Sequence, residues 1–247
     1  MRLGVELAQY VLVAIVAFVA ATLAAISGYG AGLILPLVLV PTIGAEATVP
    51  VLGVAAFFIN AGRLAAFWRD FDLRRSGIVA AAGLPACVLG SYAYTLLSGK
   101  GASLVIGIAL LVLVPARKLL VRAHGRLSER GLAAAGAGFG FFAGSTPGSG
   151  VILISLLLAA GLNGSAVIAT DAGVSLLFAV AKTFVFQASG VLTPAAWLMA
   201  CIIGAAALPA AFLARWIVPR MSATVHITIL DLVVVVGALV LIARALG

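Results

Sequence analysis

The sequence predicts an all-α polytopic membrane protein with two inverted repeats, each a broken or re-entrant helix hairpin followed by three transmembrane helices. Three observations carry this reading. Of the 247 residues, 64% are hydrophobic and 9% charged, and the mean hydropathy is +1.29, so too little polar surface exists to cover a water-soluble domain. The apolar stretches fall into two similar sets. Each set is interrupted by a glycine-rich break, Ser27-Gly28-Tyr29-Gly30-Ala31-Gly32 in the first and Ser145-Thr146-Pro147-Gly148-Ser149-Gly150 in the second.

In chain order, the first set covers approximately 7–26, 33–41, 46–68, 76–97 and 102–121. The second covers 131–143, 151–161, 165–187, 194–217 and 223–245. A run of about 20 residues spans a bilayer and one of about 10 does not. The short runs after the breaks are therefore half-helices, paired with the segment before them. The first run continues to Ile26, too long for a signal-peptide core, and reads as a retained helix. Ala47 to Arg63 matches Ala166 to Lys182 at identical spacing, and Phe67 falls on Phe186. This duplication divides the chain into repeat one (1–121), a basic cytoplasmic linker (122–130) and repeat two (131–247).

Charge gives the expected topology. Ten of the fifteen Lys and Arg residues fall in or around three loops: Arg69, Arg74 and Arg75; Arg117, Lys118, Arg122, Arg126 and Arg130; Arg215 and Arg220. Placing these in the cytoplasm satisfies the positive-inside rule, and the three tryptophans at segment ends fit an interfacial belt. The loop near 69–75 then corresponds to the uncharged loop near 188–193, which makes the repeats inverted. The net charge of +8 reflects this bias rather than a nucleic-acid footprint. The basic linker also suits lipid headgroups.

Two cations, Arg63 and Lys182, lie within apolar segments at equivalent positions. A charge at membrane depth costs at least a few kcal/mol and usually faces a cavity or partner, although each is near enough to a segment end to snorkel. Helical spacing puts Asp171, Ser175, Phe178 and Lys182 on one stripe, and Ala56, Asn60, Arg63 and Phe67 on its counterpart. Asp171 and Lys182 lie about 16 Å apart along a straight helix, too far to touch. Asp171 is a proton-coupling candidate, as is Asp231 in the last segment, five residues after His226.

The breaks have their own chemistry. A helix starting after Gly32 or Gly150 presents free N–H groups and partial positive charge, an anion site without a charged side chain. Inverted repeats bring two such starts together near the midplane. The candidate substrate site is therefore Ser27, Gly28, Gly30 and Gly32 with Asn60 and Arg63, and Thr146, Gly148, Ser149 and Gly150 with Ser175 and Lys182. Close packing by small residues is the alternative use of these glycines. Small-residue faces also leave room for a homodimer without locating one.

No P-loop, H-E-x-x-H or C-x-x-C occurs, so no cofactor or metal is expected. Cys87 and Cys201 lie inside apolar runs and read as core residues.

The order of helix, glycine break and Leu/Val/Pro-rich half-helix, as in Gly30-Ala31-Gly32-Leu33-Ile34-Leu35-Pro36, resembles the TauE/SafE sulfite exporter family across almost the whole chain. So does the helix start Ala166-Val167-Ile168-Ala169-Thr170-Asp171. The resemblance implies a secondary transporter that exports sulfite or organosulfonates across the bacterial inner membrane, and no enzyme. An anion channel, or a membrane enzyme acting on lipid headgroups, is the alternative.

Overall fold

The computed structural model describes residues 7–27, 31–121 and 127–217, with scattered residues from 235 to 245. Nine α-helices and no strand occur among the described residues: α1 (Leu7–Ser27), α2 (Ala31–Ile43), α3 (Ala45–Phe67), α4 (Leu73–Thr95), α5 (Gly99–Val121), α6 (Glu129–Ser145), α7 (Gly150–Ala159), α8 (Ser165–Ala188) and α9 (Pro194–Ile217). One 3₁₀ turn, Trp68–Asp70, links α3 to α4. Three stretches are long and apolar enough to cross a membrane: Ala45–Asp70, Leu73–Thr95 and Ser165–Ala188. Their outward faces carry exposed side chains such as Val88, Leu89, Val180 and Phe184, a surface suited to lipid and not to water.

α3 and α8 form the centre and run antiparallel. Near the start of α3, Gly53 packs on Lys182 and Phe186 of the last turns of α8. Near its end, Arg63 meets Asp171 in the second turn of α8. α4 packs along α6 and α8, while α9 packs along α1 and α3. The second break closes a re-entrant hairpin: the Leu127 N–H donates to the Ala159 carbonyl at 2.8 Å, so α6 leaves and α7 returns to the same end of the bundle.

That end also gathers the start of α4 and the start of α8, because the Asp72 N–H donates to Thr170 Oγ1 at 3.1 Å. Arg74 joins Glu129 there at 2.9 Å, an exposed pair of small energetic weight. Asp72 caps α4, its Oδ1 accepting from the Arg75 N–H at 2.8 Å and its Oδ2 from the Arg75 guanidinium at 2.6 Å. Burial raises this carboxyl, but the bonds from Arg75 outweigh it and hold the group below the usual carboxylate range. The stability it lends is thus present above the unfolded value of about 3.9 and fades as pH falls through the lower folded value. At the opposite end, the Tyr94 hydroxyl donates to the Ala45 carbonyl at 2.5 Å, and Glu46 lies against Gly99 at the start of α5.

The α4–α6 contact explains several of the 28 glycines. A Cβ on Gly140 would strike the backbone of Gly83; one on Gly144 would strike that of Cys87; one on Gly90 would strike that of Phe141. The two helices approach at backbone distance because these side chains are absent, the small-residue packing that membrane interfaces favour. Gly138, by contrast, faces open space. We therefore expect Gly140→Leu to lower stability by about 1–3 kcal/mol or more through overpacking. Gly138→Ala should be neutral or stabilising, by up to about 1 kcal/mol. Thermal unfolding in detergent checks this, and equal melting of the two variants would contradict the packing described.

Candidate functional site

The breaks meet in space. A Cβ on Gly32, at the start of α2, would lie 2.6 Å from the Gly148 nitrogen and 2.7 Å from its Cα, so glycine is required for this approach. Gly148 itself adopts φ +77°, a left-handed conformation that glycine tolerates without strain. Thr146 ends α6 in extended backbone, its Oγ1 donating to the Phe142 carbonyl at 2.7 Å. Ser149 occupies the N-cap of α7 without a side-chain capping bond.

Beside this junction lies a cavity of about 140 Å³; a water needs only about 10–15 Å³ of such space, so a small polyatomic ion fits. Its walls come from α3 and α8 at matched positions: Leu52 and Asp171, Ala56 and Ser175, Ile59 and Phe178, Asn60 and Ala179, Arg63 and Lys182. Each pair is 119 residues apart. The rest of the lining includes Gly32 and the second break from Thr146 to Gly150.

Asn60, Arg63, Asp171, Ser175 and Lys182 all line this one space with Gly32, Thr146, Gly148, Ser149 and Gly150. Phe67, the last member of the α3 stripe, does not. The Ser27 side chain, Gly28, Gly30 and Asp231 lie outside the described residues, as does His226.

Both buried cations have partners that the linear sequence did not reveal. Asp171, too far along its own helix to reach Lys182, pairs with Arg63 across the interface, with Nη1 2.8 Å from Oδ2. Asp171 is 1% exposed and Arg63 6%, so neither side chain snorkels to the surface. Lys182 is also buried and donates from Nζ to the Ala143 carbonyl at 2.8 Å. That carbonyl is among the last four of α6, which have no intrahelical partner, and a cation there complements the helix dipole. Asp171 Oδ1 lies 3.9 Å from where a Cβ on Gly150 would be, placing a carboxylate beside the start of α7.

The set is incompletely satisfied. Asn60 Oδ1 accepts from Arg63 Nη1 at 3.1 Å, yet Arg63 Nε and Nη2 have no hydrogen-bond partner among the described residues. Buried polar atoms are nearly always paired, so such a group beside a cavity is suited to a polar ligand. No cluster of three or more His, Cys, Asp or Glu side chains that could hold a metal occurs among the described residues.

The chain belongs to the sulfite exporter TauE/SafE family, whose family model matches residues 13–241. Comparison with curated proteins and with solved structures gave no match.

Removing one member of a buried pair strands the other charge at a cost of about 3–5 kcal/mol, whereas removing both costs far less. Arg63→Leu and Asp171→Leu should each lower thermal stability strongly, and the double variant should recover most of the loss. A double-mutant cycle in detergent reads this coupling; additive losses would show that the two charges do not interact.

Proposed function

We propose that this protein is a secondary transporter of small sulfur-containing anions, sulfite or organosulfonates, exporting them across the bacterial inner membrane. The family to which it belongs is one of sulfite exporters, which also speaks against an enzyme. The observation that carries the reading is the cavity itself: two cations, Arg63 and Lys182, against one carboxylate, Asp171, border a space of about 140 Å³ together with the α7 N-terminus, which leaves one positive charge in excess. Helix starts and cations both favour anions.

The mechanism proposed is alternating access with the anion held at the half-helix N-termini between two inverted repeats. The antiparallel packing of α3 on α8 supports the inversion, because a two-fold axis that exchanges antiparallel helices lies perpendicular to them. For spanning helices, that axis lies in the membrane plane. The matched wall positions support the same relation. Asp171 is about 9 Å from the start of α8 and Lys182 about 9 Å from its end, so the pair Arg63–Asp171 faces one approach and Lys182 the other. Arg69, Arg74, Arg75 and Arg130 sit at the Asp171 end, which supports a cytoplasmic position for that end.

Asp171 is the proposed proton carrier, since a proton on its carboxyl removes the charge that holds Arg63. Asp231 is the second candidate. Membrane lipid surrounds the outer faces, and small-residue surfaces leave a homodimer open.

Purified protein in proteoliposomes should take up labelled sulfite saturably and show counterflow. Lys182→Ala should raise the half-saturating concentration about tenfold, the equivalent of one charge-assisted interaction of about 1.5 kcal/mol. Uptake that grows linearly with concentration and lacks counterflow would identify a channel instead.

A further inference from the structure

The five N–H donors of Arg63 are unequally used. Nη1 is engaged twice, donating to Asn60 Oδ1 at 3.1 Å and pairing with Asp171 Oδ2 at 2.8 Å. Asn60 is fixed in turn, its Nδ2 donating to the Ala56 carbonyl at 2.8 Å. Nε and Nη2 are buried and have no acceptor among the described residues. These two nitrogens share one edge of the planar guanidinium, the fork that matches two oxygens on a single central atom. Arg63 lines the cavity with its Nε–Nη2 edge closed to water in this conformation, so an oxyanion reaches that edge only as the side chain or wall shifts. An amide from its own helix and a carboxylate from the facing helix both hold the opposite side of the group.

We propose that the Nε–Nη2 edge of Arg63 is a two-oxygen seat for an oxyanion, with Asn60 and Asp171 as the residues that position it. The inference rests on the anion reading above and adds which atoms recognise the anion and which anions are favoured. A sulfite or sulfonate group offers two oxygens to the fork, whereas chloride offers one point of contact. Lys182 plays a different part. Its Nζ is bonded to Ala143, and the charge of Arg63 is balanced by Asp171, so Lys182 supplies the uncompensated positive charge that a monoanion neutralises. The cavity thus divides its labour, with net attraction from Lys182 and oxygen geometry from Arg63.

The test is titration of the full-length protein in detergent with methanesulfonate and with chloride, for the parent, Arg63→Lys and Asn60→Ala. Arg63→Lys keeps the charge and a partner for Asp171 but has no fork. It should weaken methanesulfonate binding about tenfold or more while chloride stays within about twofold. Asn60→Ala removes one anchor without changing any charge, and should lower the methanesulfonate-to-chloride affinity ratio several-fold in protein that stays folded. A general structural defect would instead weaken both anions together. If Arg63→Lys does not fold, the ratio in Asn60→Ala decides alone. Parent-like methanesulfonate binding in either folded variant would overturn the two-oxygen seat and leave anion transport standing. A parent protein that binds neither anion would overturn both.

Discussion

One ion pair sets the terms for the rest of this molecule. Arg63 and Asp171 meet at 2.8 Å with almost no exposure, inside a bundle whose outer faces are apolar. Taking two such charges out of water costs several kcal/mol each, and their attraction offsets this only when geometry is held tightly. The surroundings hold it. α3 and α8 run antiparallel with Gly53 packed on Lys182 and Phe186, and Thr170, next to Asp171, is tied to the backbone of the α4 cap. Sliding either helix by one residue would move the charges about 1.5 Å along the axis and strand both.

The interrupted helices answer the same constraint from the backbone side. Unwound chain at membrane depth is tolerated where it lines a cavity or is buried in protein. Here Lys182 bonds a terminal carbonyl of α6, and Asp171 lies beside the start of α7. The two helix ends at the second break thus each have a charge of complementary sign. The same two residues that stabilise the broken hairpin also polarise the space beside it, so the scaffold and the proposed site are built from one set of groups.

Much of this was legible in the sequence because it is written in local patterns. Hydropathy located α1 to α9, glycine and proline located both breaks, and helical spacing placed Asp171, Ser175, Phe178 and Lys182 on one stripe. All four line the cavity. What local spacing does not carry is the partner across an interface. Asp171 shares a face with Lys182, yet it pairs with Arg63, 108 positions earlier in the chain by subtraction of their residue numbers. The bond from Lys182 to Ala143 is equally hidden, because it depends on how a hairpin folds back. The glycines of α4 and α6 read alike in sequence, but those that meet backbone, such as Gly140, differ from Gly138 in the direction they face.

The central claim is that an anion occupies the space between the second break and Arg63. Ser149 lines that space, so a single cysteine at this position reports on it once Cys87 and Cys201 are replaced by alanine. The rate at which a maleimide labels Ser149→Cys in membranes, with and without methanesulfonate, tests the claim most directly. The account predicts slower labelling as methanesulfonate is added, saturating with concentration. Labelling at the same rate at every methanesulfonate concentration would contradict it.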